Sequence, residues 1–275
     1  MNPKAFVLGW PVAHSRSPLI HRFWLSRHGI DGDYVRQAVP PEGLESFLSG
    51  LADSEFVGGN VTVPHKEALF AACDDVTDFA RRLGAVNTVW LEAGKLRGDN
   101  TDAYGFAANL DEQAPQWRAG AVGLVLGAGG ASRAVLDALI EAGYRKIVVL
   151  NRTLERAQAL ARQFGGPVRA AGLDTLAEHL PEADLVVNAT SAGMGGRESL
   201  AVDWSVARRS AIAADLVYAP LRTPFLGGAT DHGLVAVDGL GMLLHQAVPG
   251  FERWFGVRPA VDAELRAAIL ADLTV

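Results

Sequence analysis

Lys66 and Asp102 are the two residues of this chain whose types and positions best suit proton transfer to a substrate. Lys66 ends the stretch GGNVTVPHK, in which a strand-like alternation stops at Pro64. A lysine ammonium polarises a carbonyl oxygen and donates a proton to it, and in the reverse direction the neutral amine is the base. A nearby Asp102 carboxylate favours the charged lysine and can hold a substrate hydroxyl. The alternative for any single lysine is a solvated surface position.

Other polar side chains fall at the ends of predicted elements in the first hundred residues. They are Ser15, Ser17, Asn60, Thr62, Asn87 and the run 99–102, DNTD. Hydroxyls, amides, one cation and one carboxylate suit a small polyhydroxy acid. Taken alone, Ser17 and Asp102 are also good helix caps, and Asn87 also suits a hairpin. Their concentration ahead of a nucleotide-binding pattern favours a common substrate site.

A glycine loop lies in the second part of the chain. Residues 121–152 read AVGLVLGAGGASRAVLDALIEAGYRKIVVLNR, which predicts a strand, a loop, a helix and a second strand. Gly127, Gly129 and Gly130 let the backbone approach a pyrophosphate, and the start of the helix favours its negative charge. Ser132 stands where the usual pattern has Gly or Ala, so a simple tight turn is the alternative interpretation.

The end of the next strand indicates which dinucleotide is bound. A carboxylate is expected there in an NAD-binding unit, about 20 residues after the loop. This chain has Asn151, Arg152 and Thr153, followed by Arg156. The two guanidinium groups would pair with a 2′-phosphate, which a carboxylate would repel. We therefore predict NADP as the cofactor. Thr190 follows a later strand and suits the riboses or the nicotinamide.

The elements that must position these residues predict an α/β protein with two domains. Strand-like and helix-like runs alternate along the first hundred residues, and short apolar runs bounded by turns follow, as in a doubly wound parallel sheet. The predicted substrate-binding and catalytic domain comprises residues 1–102 and 239–275, whose last helices return to it. Residues 103–238 form the predicted Rossmann-type NADP-binding domain, and we expect ligands in the cleft between the two.

Composition and charge exclude several classes of protein. The 275 residues carry a net charge of −6, which argues against a general nucleic-acid or anionic-membrane surface. No run of 18 apolar residues predicts a transmembrane helix, and the N-terminus lacks a signal-peptide pattern. Cys73 is the only cysteine, so no internal disulfide forms, and we expect a cytoplasmic protein. No ligand spacing indicates a metal site.

The ordered motifs of the chain resemble the shikimate dehydrogenase family over nearly the whole length. In chain order they are Ser15–Pro18, Asn60–Lys66, Gly84–Thr88, Asp99–Asp102, GAGGASRA from Gly127, NRTLERA from Asn151, Asp215–Pro220 and Gly239–Gln246. The resemblance implies two α/β domains and the NADP-dependent interconversion of 3-dehydroshikimate and shikimate. It implies a small-molecule substrate, no nucleic-acid or membrane partner and no metal, and it leaves a homodimer open.

The resemblance also implies roles for individual residues. Lys66 and Asp102 correspond to the catalytic pair, and Ser15 and Ser17 to the serines that hold the substrate carboxylate. The further implied substrate contacts are Thr62, Asn87, Tyr218 and Gln246. The implied cofactor contacts are Gly127, Ala128, Gly129, Gly130, Ala131, Asn151, Arg152, Thr153, Arg156, Thr190, Leu216 and Gly239, with Asp78 as a further candidate.

The chain departs from the family pattern at two places, and two other functions stay open. Gly59 precedes Asn60 where many relatives have a bulkier residue, and Ala103 follows Asp102 where glycine is frequent. The first alternative function is a broader quinate and shikimate dehydrogenase, since some members use quinate or NAD. The second is a non-catalytic module that senses NADP and a metabolite, against which the retention of Lys66 and Asp102 argues.

Overall fold

The computed structural model describes residues 2–273 and confirms the predicted α/β class. The strands are β1 (Lys4–Gly9), β2 (Asp33–Ala38), β3 (Phe56–Val61), β4 (Asp75–Val76), β5 (Thr88–Glu92), β6 (Lys95–Asp99), β7 (Val122–Leu126), β8 (Lys146–Asn151), β9 (Val168–Gly172), β10 (Leu185–Asn188), β11 (Ile212–Asp215) and β12 (Val235–Val237). The helices are α1 (Ser17–Arg27), α2 (Leu44–Leu51), α3 (Lys66–Ala72), α4 (Asp78–Leu83), α5 (Asp102–Gln113), α6 (Gly130–Glu141), α7 (Leu154–Phe164), α8 (Leu176–His179), α9 (Pro224–Asp231), α10 (Leu240–His245), α11 (Val248–Phe255) and α12 (Ala263–Leu273).

The chain divides into two compact units. The first contains the described residues up to Asp102 and from Gln246 onward, and the second is Ala103–His245. Residues 239–245, which we predicted to belong with the first domain, fall in the second unit and include the whole of its last helix, α10.

The first unit is built on a mixed sheet with the strand order β2-β1-β3-β5-β6-β4. β1 runs parallel to β2 and β3, whereas β5 is antiparallel to both β3 and β6. The carboxyl ends of β1, β3 and β6 and the start of β5 therefore lie at one edge of this sheet. The segments that follow or precede these ends carry most of the polar residues singled out in the sequence.

Both faces of this sheet are covered. Phe6 and Leu8 of β1 pack in one apolar cluster, and the intervening Val7 packs in another that includes Trp254 of α11. Successive side chains of a strand point to opposite faces, so α11 supplies part of the second layer. Because both faces of the sheet are covered, side chains on either side of β1 are buried. The apolar sequence AFVLG of this strand agrees with that burial.

The second unit is an all-parallel sheet with the order β12-β11-β10-β7-β8-β9. The chain runs outward from β7 to β9 and then returns to β10 on the other side of β7. This reversal opens a crevice outside the carboxyl ends of β7 and β10, which is where open α/β sheets bind ligands. The glycine loop directly follows β7.

Two local predictions about capping and strand length were wrong. Ser17 does not cap α1, since Arg16 is the N-cap residue and makes no side-chain capping bond. β3 ends at Val61 rather than at residue 63, and the Val63 side chain is 69% exposed. The chain leaves the sheet there, although the Thr62 amide still donates to the Leu8 carbonyl at 2.8 Å.

Candidate active site

Lys66 and Asp102 are 36 positions apart in sequence and form an ion pair in the first unit. Lys66 begins α3 directly after the turn that follows β3, and Asp102 begins α5 after β6. The Lys66 Nζ lies 2.9 Å from the Asp102 Oδ2, and the two side chains are 31% and 21% exposed. The Lys66 ammonium is therefore accessible to a small molecule, and the Asp102 carboxylate fixes its position.

Asn87 and Gln246 adjoin this pair. Asn87 Nδ2 donates to the Asp102 Oδ1 at 2.8 Å and lies 3.4 Å from the Gln246 Oε1. Asp102 therefore receives one donor on each carboxylate oxygen. Thr101 connects the same residues, because its hydroxyl donates to the Gln246 carbonyl at 2.8 Å. Thr101 belongs to the DNTD run that the sequence indicates as part of the site, although no separate role was predicted for it.

Ser15 lies in the loop after β1, and Ser17 begins α1. The Ser15 hydroxyl donates to the Ser17 Oγ at 3.3 Å, and the same Oγ of Ser15 accepts from the Ser17 amide. Arg36 holds this loop, because its Nη2 donates to the Ser15 carbonyl at 2.7 Å. Thr62 is half-buried after β3, and its Cγ2 lies 2.5 Å from the position that a side chain at Gly9 would occupy. The loops after β1 and β3 therefore touch at the shared sheet edge.

His65 and Cys73 have structural roles in the first unit. The buried His65 ring pairs its Nε2 with the Val39 carbonyl at 2.7 Å, so it is held away from Lys66. Burial raises the pKa of the Cys73 thiol to about 12, assisted by the neighbouring Asp74 charge. A thiol in that environment is a poor nucleophile.

The glycine loop of the second unit has the shape of a phosphate cradle. Gly127 has a φ of 106° and its missing side chain would meet Thr190 Cγ2 at 2.8 Å, so glycine is required. A Cβ at Gly129 or Gly130 would meet nothing within 4 Å, which leaves that side of the loop open to a ligand. Ser132 is buried and closes the loop by donating to the Gly127 carbonyl at 2.9 Å.

The end of β8 presents two cationic side chains. Asn151 ends the strand and donates from Nδ2 to the Thr153 carbonyl at 2.8 Å, which fixes the turn into α7. Arg152 and Arg156 are exposed on this turn. Within residues 2–273, no carboxylate forms an ion pair with either guanidinium. Both are therefore available to an anionic ligand.

The remaining predicted cofactor residues cluster beside the glycine loop, with one exception. Thr190 donates to the Asn188 Oδ1 at 2.7 Å, and the Asn188 carbonyl accepts from the Leu216 amide at 3.0 Å. A Cβ at Gly239 would lie 2.4 Å from the Leu216 carbonyl oxygen, so only glycine fits there. Asp78 is the exception, since it is exposed at the start of α4 in the first unit.

Asp215 is a buried carboxylate at the start of the motif Asp215–Pro220, to which the sequence patterns gave no individual role. It ends β11 and accepts hydrogen bonds from Asn188 Nδ2 at 2.9 Å, the Val217 amide at 3.0 Å and the Thr223 hydroxyl at 2.6 Å. Burial raises the pKa of this carboxyl, although these donors oppose the rise. It connects the loops after β10 and β11. Tyr218 follows that strand and is half-buried.

The described residues contain neither a metal cluster nor a membrane span. No group of three or more His, Cys, Asp or Glu side chains in residues 2–273 is placed to hold a metal ion. Across the same residues, no helix combines the length and apolar character that are needed to cross a membrane.

Three parts of the chain match a known family. Residues 7–89 match the shikimate dehydrogenase substrate binding domain, residues 111–210 match shikimate / quinate 5-dehydrogenase, and residues 239–268 match the shikimate 5'-dehydrogenase C-terminal domain. A shikimate dehydrogenase (NADP(+)) of Brucella melitensis biotype 2 is 56% identical over 273 residues, which cover 98% of this chain and 94% of the relative.

Solved structures show the same similarity. Shikimate 5-dehydrogenase from Thermus thermophilus, in complex with NADP(H) and shikimate, has a TM-score of 0.86 and 42% identity, with 98% of this chain and 99% of that chain covered. Quinate dehydrogenase from Corynebacterium glutamicum, in complex with NAD, has a TM-score of 0.90 and 31% identity, with the same shares covered.

Proposed function

The chain belongs to the shikimate dehydrogenase family, and from this premise we propose that Lys66 and Asp102 carry its chemistry. It is an NADP-dependent oxidoreductase that reversibly reduces 3-dehydroshikimate to shikimate on the route to chorismate and the aromatic amino acids. The observation that carries the catalytic assignment is the 2.9 Å contact between the Lys66 Nζ and the Asp102 Oδ2 at an accessible position.

In the reducing direction, Lys66 donates a proton to the substrate carbonyl oxygen as its carbon is reduced. Asp102 keeps the Lys66 ammonium in one direction and accepts a hydrogen bond from a substrate hydroxyl. NADPH, when bound, supplies the hydride for the carbonyl carbon. In the oxidising direction, the neutral Lys66 amine accepts the hydroxyl proton. Because the proton source is held in place before the reaction, little reorganisation is needed at the transition state.

The substrate contacts follow from the donors and acceptors of the first unit. Ser15 and Ser17 donate their hydroxyl hydrogens to the substrate carboxylate, which explains why a substrate anion needs no arginine fork here. Thr62, Asn87 and Gln246 contact the ring hydroxyls, and Tyr218 stays a substrate contact predicted from the sequence. The first unit is thus substrate-binding and catalytic, and the domain proposed from the sequence, residues 1–102 and 239–275, differs from it only in including residues 239–245.

The second unit, Ala103–His245, binds NADP and contains the NADP-binding domain proposed from the sequence, residues 103–238. The open side of the loop at Gly129 and Gly130 suits a pyrophosphate, and the unpaired Arg152 and Arg156 suit a 2′-phosphate. Thr190, Leu216 and Gly239 line the crevice side of the sheet and suit the riboses and the nicotinamide. The further contacts in this assignment are Ala128, Ala131, Asn151 and Thr153, whereas Asp78 lies in the first unit and stays a prediction.

Quinate dehydrogenation is the second candidate, favoured by the similarity to the Corynebacterium glutamicum enzyme. The test is a steady-state assay that crosses shikimate and quinate with NADP and NAD. We expect the highest kcat/KM for shikimate with NADP. A higher kcat/KM with quinate would overturn the substrate assignment, and bound ligands without turnover would support the sensor. A cytoplasmic location and a homodimer stay predictions.

A further inference from the structure

Asn60 is buried in β3. A backbone carbonyl next to it, which can only accept a hydrogen bond, fixes which way its side-chain amide is oriented. The side chain is 6% exposed, and its Nδ2 lies 3.2 Å from the backbone carbonyl oxygen of Asn87. Because a carbonyl cannot donate, the amide nitrogen must face it. The Oδ1 therefore faces the Tyr34 phenol, which donates to it at 2.7 Å. The Asn60 Nδ2 also reaches the Thr88 Oγ1 at 3.2 Å.

The Thr88 hydroxyl accepts a hydrogen bond from Asn60 and donates one to Asn87. It is fully buried and accepts from Asn60, so its own hydrogen must point to another acceptor. That acceptor is the Asn87 Oδ1 at 2.9 Å, because the other neighbour, the Thr101 hydroxyl, is more distant at 3.4 Å. The Thr101 amide donates to the same Asn87 Oδ1 at 2.8 Å.

The Asn87 amide can consequently adopt only one of its two orientations. With its oxygen occupied by donors, its nitrogen faces the Asp102 Oδ1 at 2.8 Å. The opposite orientation would place two oxygen atoms against each other at Asp102 and two N–H donors against each other at the Thr101 amide, and it would lose the hydrogen bond from Thr88. The hydrogen bonds from Asn60 to Thr88, Asn87 and Asp102 therefore all run in the same direction.

We propose that Asn60 and Thr88 are positioning residues of the reaction. They hold the Asn87 amide with its nitrogen toward Asp102, so that both carboxylate oxygens of Asp102 accept hydrogen bonds, one of them from Lys66. This inference rests on the roles proposed above for Lys66 and Asp102. Neither Asn60 nor Thr88 needs to touch the substrate, because each acts through the next residue.

Thr88→Val tests the inference, because it removes the hydroxyl and keeps the shape. Loss of one neutral hydrogen bond is expected to lower kcat about 2–10-fold. Because the Asn87 amide donates to Asp102, a loosened amide weakens that hydrogen bond, and the pH profile of kcat is expected to change with it. Thr88→Ser restores the hydroxyl and is expected to restore kcat to within about twofold and the profile to that of the unchanged enzyme.

Tyr144→Phe is the matched control. Tyr144 is 2% exposed and its hydroxyl donates to the Trp117 carbonyl at 2.7 Å, so this variant also loses one buried hydroxyl. We expect it to lower the denaturation midpoint and to leave kcat and its pH profile unchanged. If Thr88→Val does not fold, Thr88→Cys, a side chain of similar volume and a weak donor, is measured in the same way.

The outcomes separate this inference from the proposed function. Lys66→Ala, assayed in parallel, reports on the proposed function alone. If Lys66→Ala loses kcat while folded Thr88→Val keeps the kcat and pH profile of the unchanged enzyme, the positioning role is wrong and the proposed function stands. A Thr88→Ser variant no better than Thr88→Val would also overturn the inference. If Lys66→Ala keeps its kcat, the proposed function fails first and takes the inference with it.

Discussion

Replacement of Lys66 by alanine separates a catalytic lysine from a structural one. The ion pair of Lys66 and Asp102 is partly exposed, with 31% and 21% of the side chains accessible. Pairs near the surface contribute about 1 kcal/mol or less to the free energy of unfolding. Loss of a general acid lowers kcat about 10²–10⁴-fold, which corresponds to about 2.7–5.4 kcal/mol in the activation free energy. The activity loss should therefore exceed the stability loss several times over.

Lys4→Ala is the control for this variant. Its Nζ lies 2.6 Å from Glu55, and the side chains are 35% and 54% exposed, so the lysine and its ion pair resemble those of Lys66. The assay follows the loss of NADPH absorbance with 3-dehydroshikimate, and calorimetry measures shikimate affinity. We expect Lys66→Ala to keep its affinity within a few-fold and Lys4→Ala to keep its kcat. An unchanged kcat in Lys66→Ala, or an equal loss in both variants, would refute the assignment.

Two further predictions concern cofactor choice and pH. Arg152→Asp should raise the KM for NADPH about 10–100-fold and change that for NADH much less, because only the 2′-phosphate loses a charge-assisted bond. Arg162→Asp, at the other end of α7, is the control, and equal weakening of both cofactors by Arg152→Asp would contradict the 2′-phosphate assignment. His21 is fully buried, and burial lowers its pKa from 6.5 to about 3, despite a neighbouring amide that favours the proton. The unfolded chain therefore binds a proton below pH 6.5 that the folded chain lacks, so the free energy of unfolding falls as the pH falls, by about 2 kcal/mol between about pH 7 and about pH 5. Urea denaturation of His21→Phe should show a shallower pH dependence, with the exposed His232→Phe as control, and parallel curves for His21→Phe and the unchanged protein would be inconsistent with this origin.

Local patterns predicted most of the fold. The glycine loop, the apolar strands and the helix around Ala134 are encoded within a few residues of each other, and β7, α6 and β8 follow them closely. Ala93 and Gly94 join β5 to β6 in a hairpin, and both have positive φ angles, of 51° and 75°. α1 begins at Ser17, but Ser17 is its first residue rather than its cap, and its amide donates to the Ser15 Oγ at 3.3 Å.

The candidate site was predicted from residue types at element ends. Lys66, Asn87 and Asp102 follow or precede strands that end at one sheet edge, and the structure brings these three into direct contact. What the sequence does not contain is the direction of the hydrogen bonds between them. That direction depends on burial and on partners far along the chain.

Asn60 is an example of a residue whose burial and partners local sequence patterns did not predict. Its alternation with Val61 places it with the ligand-facing residues, as if one face of β3 were solvated. Both faces of the sheet are covered, so the amide is buried and pairs with Tyr34, which is 26 positions away. The role of Thr88 was also not predicted. A threonine at the start of a strand is explained by its β propensity alone, so its type and position did not indicate a role in the site.

A double-mutant cycle on Lys66 and Asp102 tests the central claim most directly. Asp102→Asn, Lys66→Ala and the double variant are compared by kcat for 3-dehydroshikimate reduction, with Asp33→Asn, which loses a 2.9 Å ion pair to Arg22, as control. Residues that act as one unit give non-additive losses. We predict that the double variant is about as slow as the slower single variant. If instead the fold-loss of kcat in the double variant equalled the product of the two single losses, the residues would act independently. That result would contradict the claim that one ammonium, held by one carboxylate, delivers the proton.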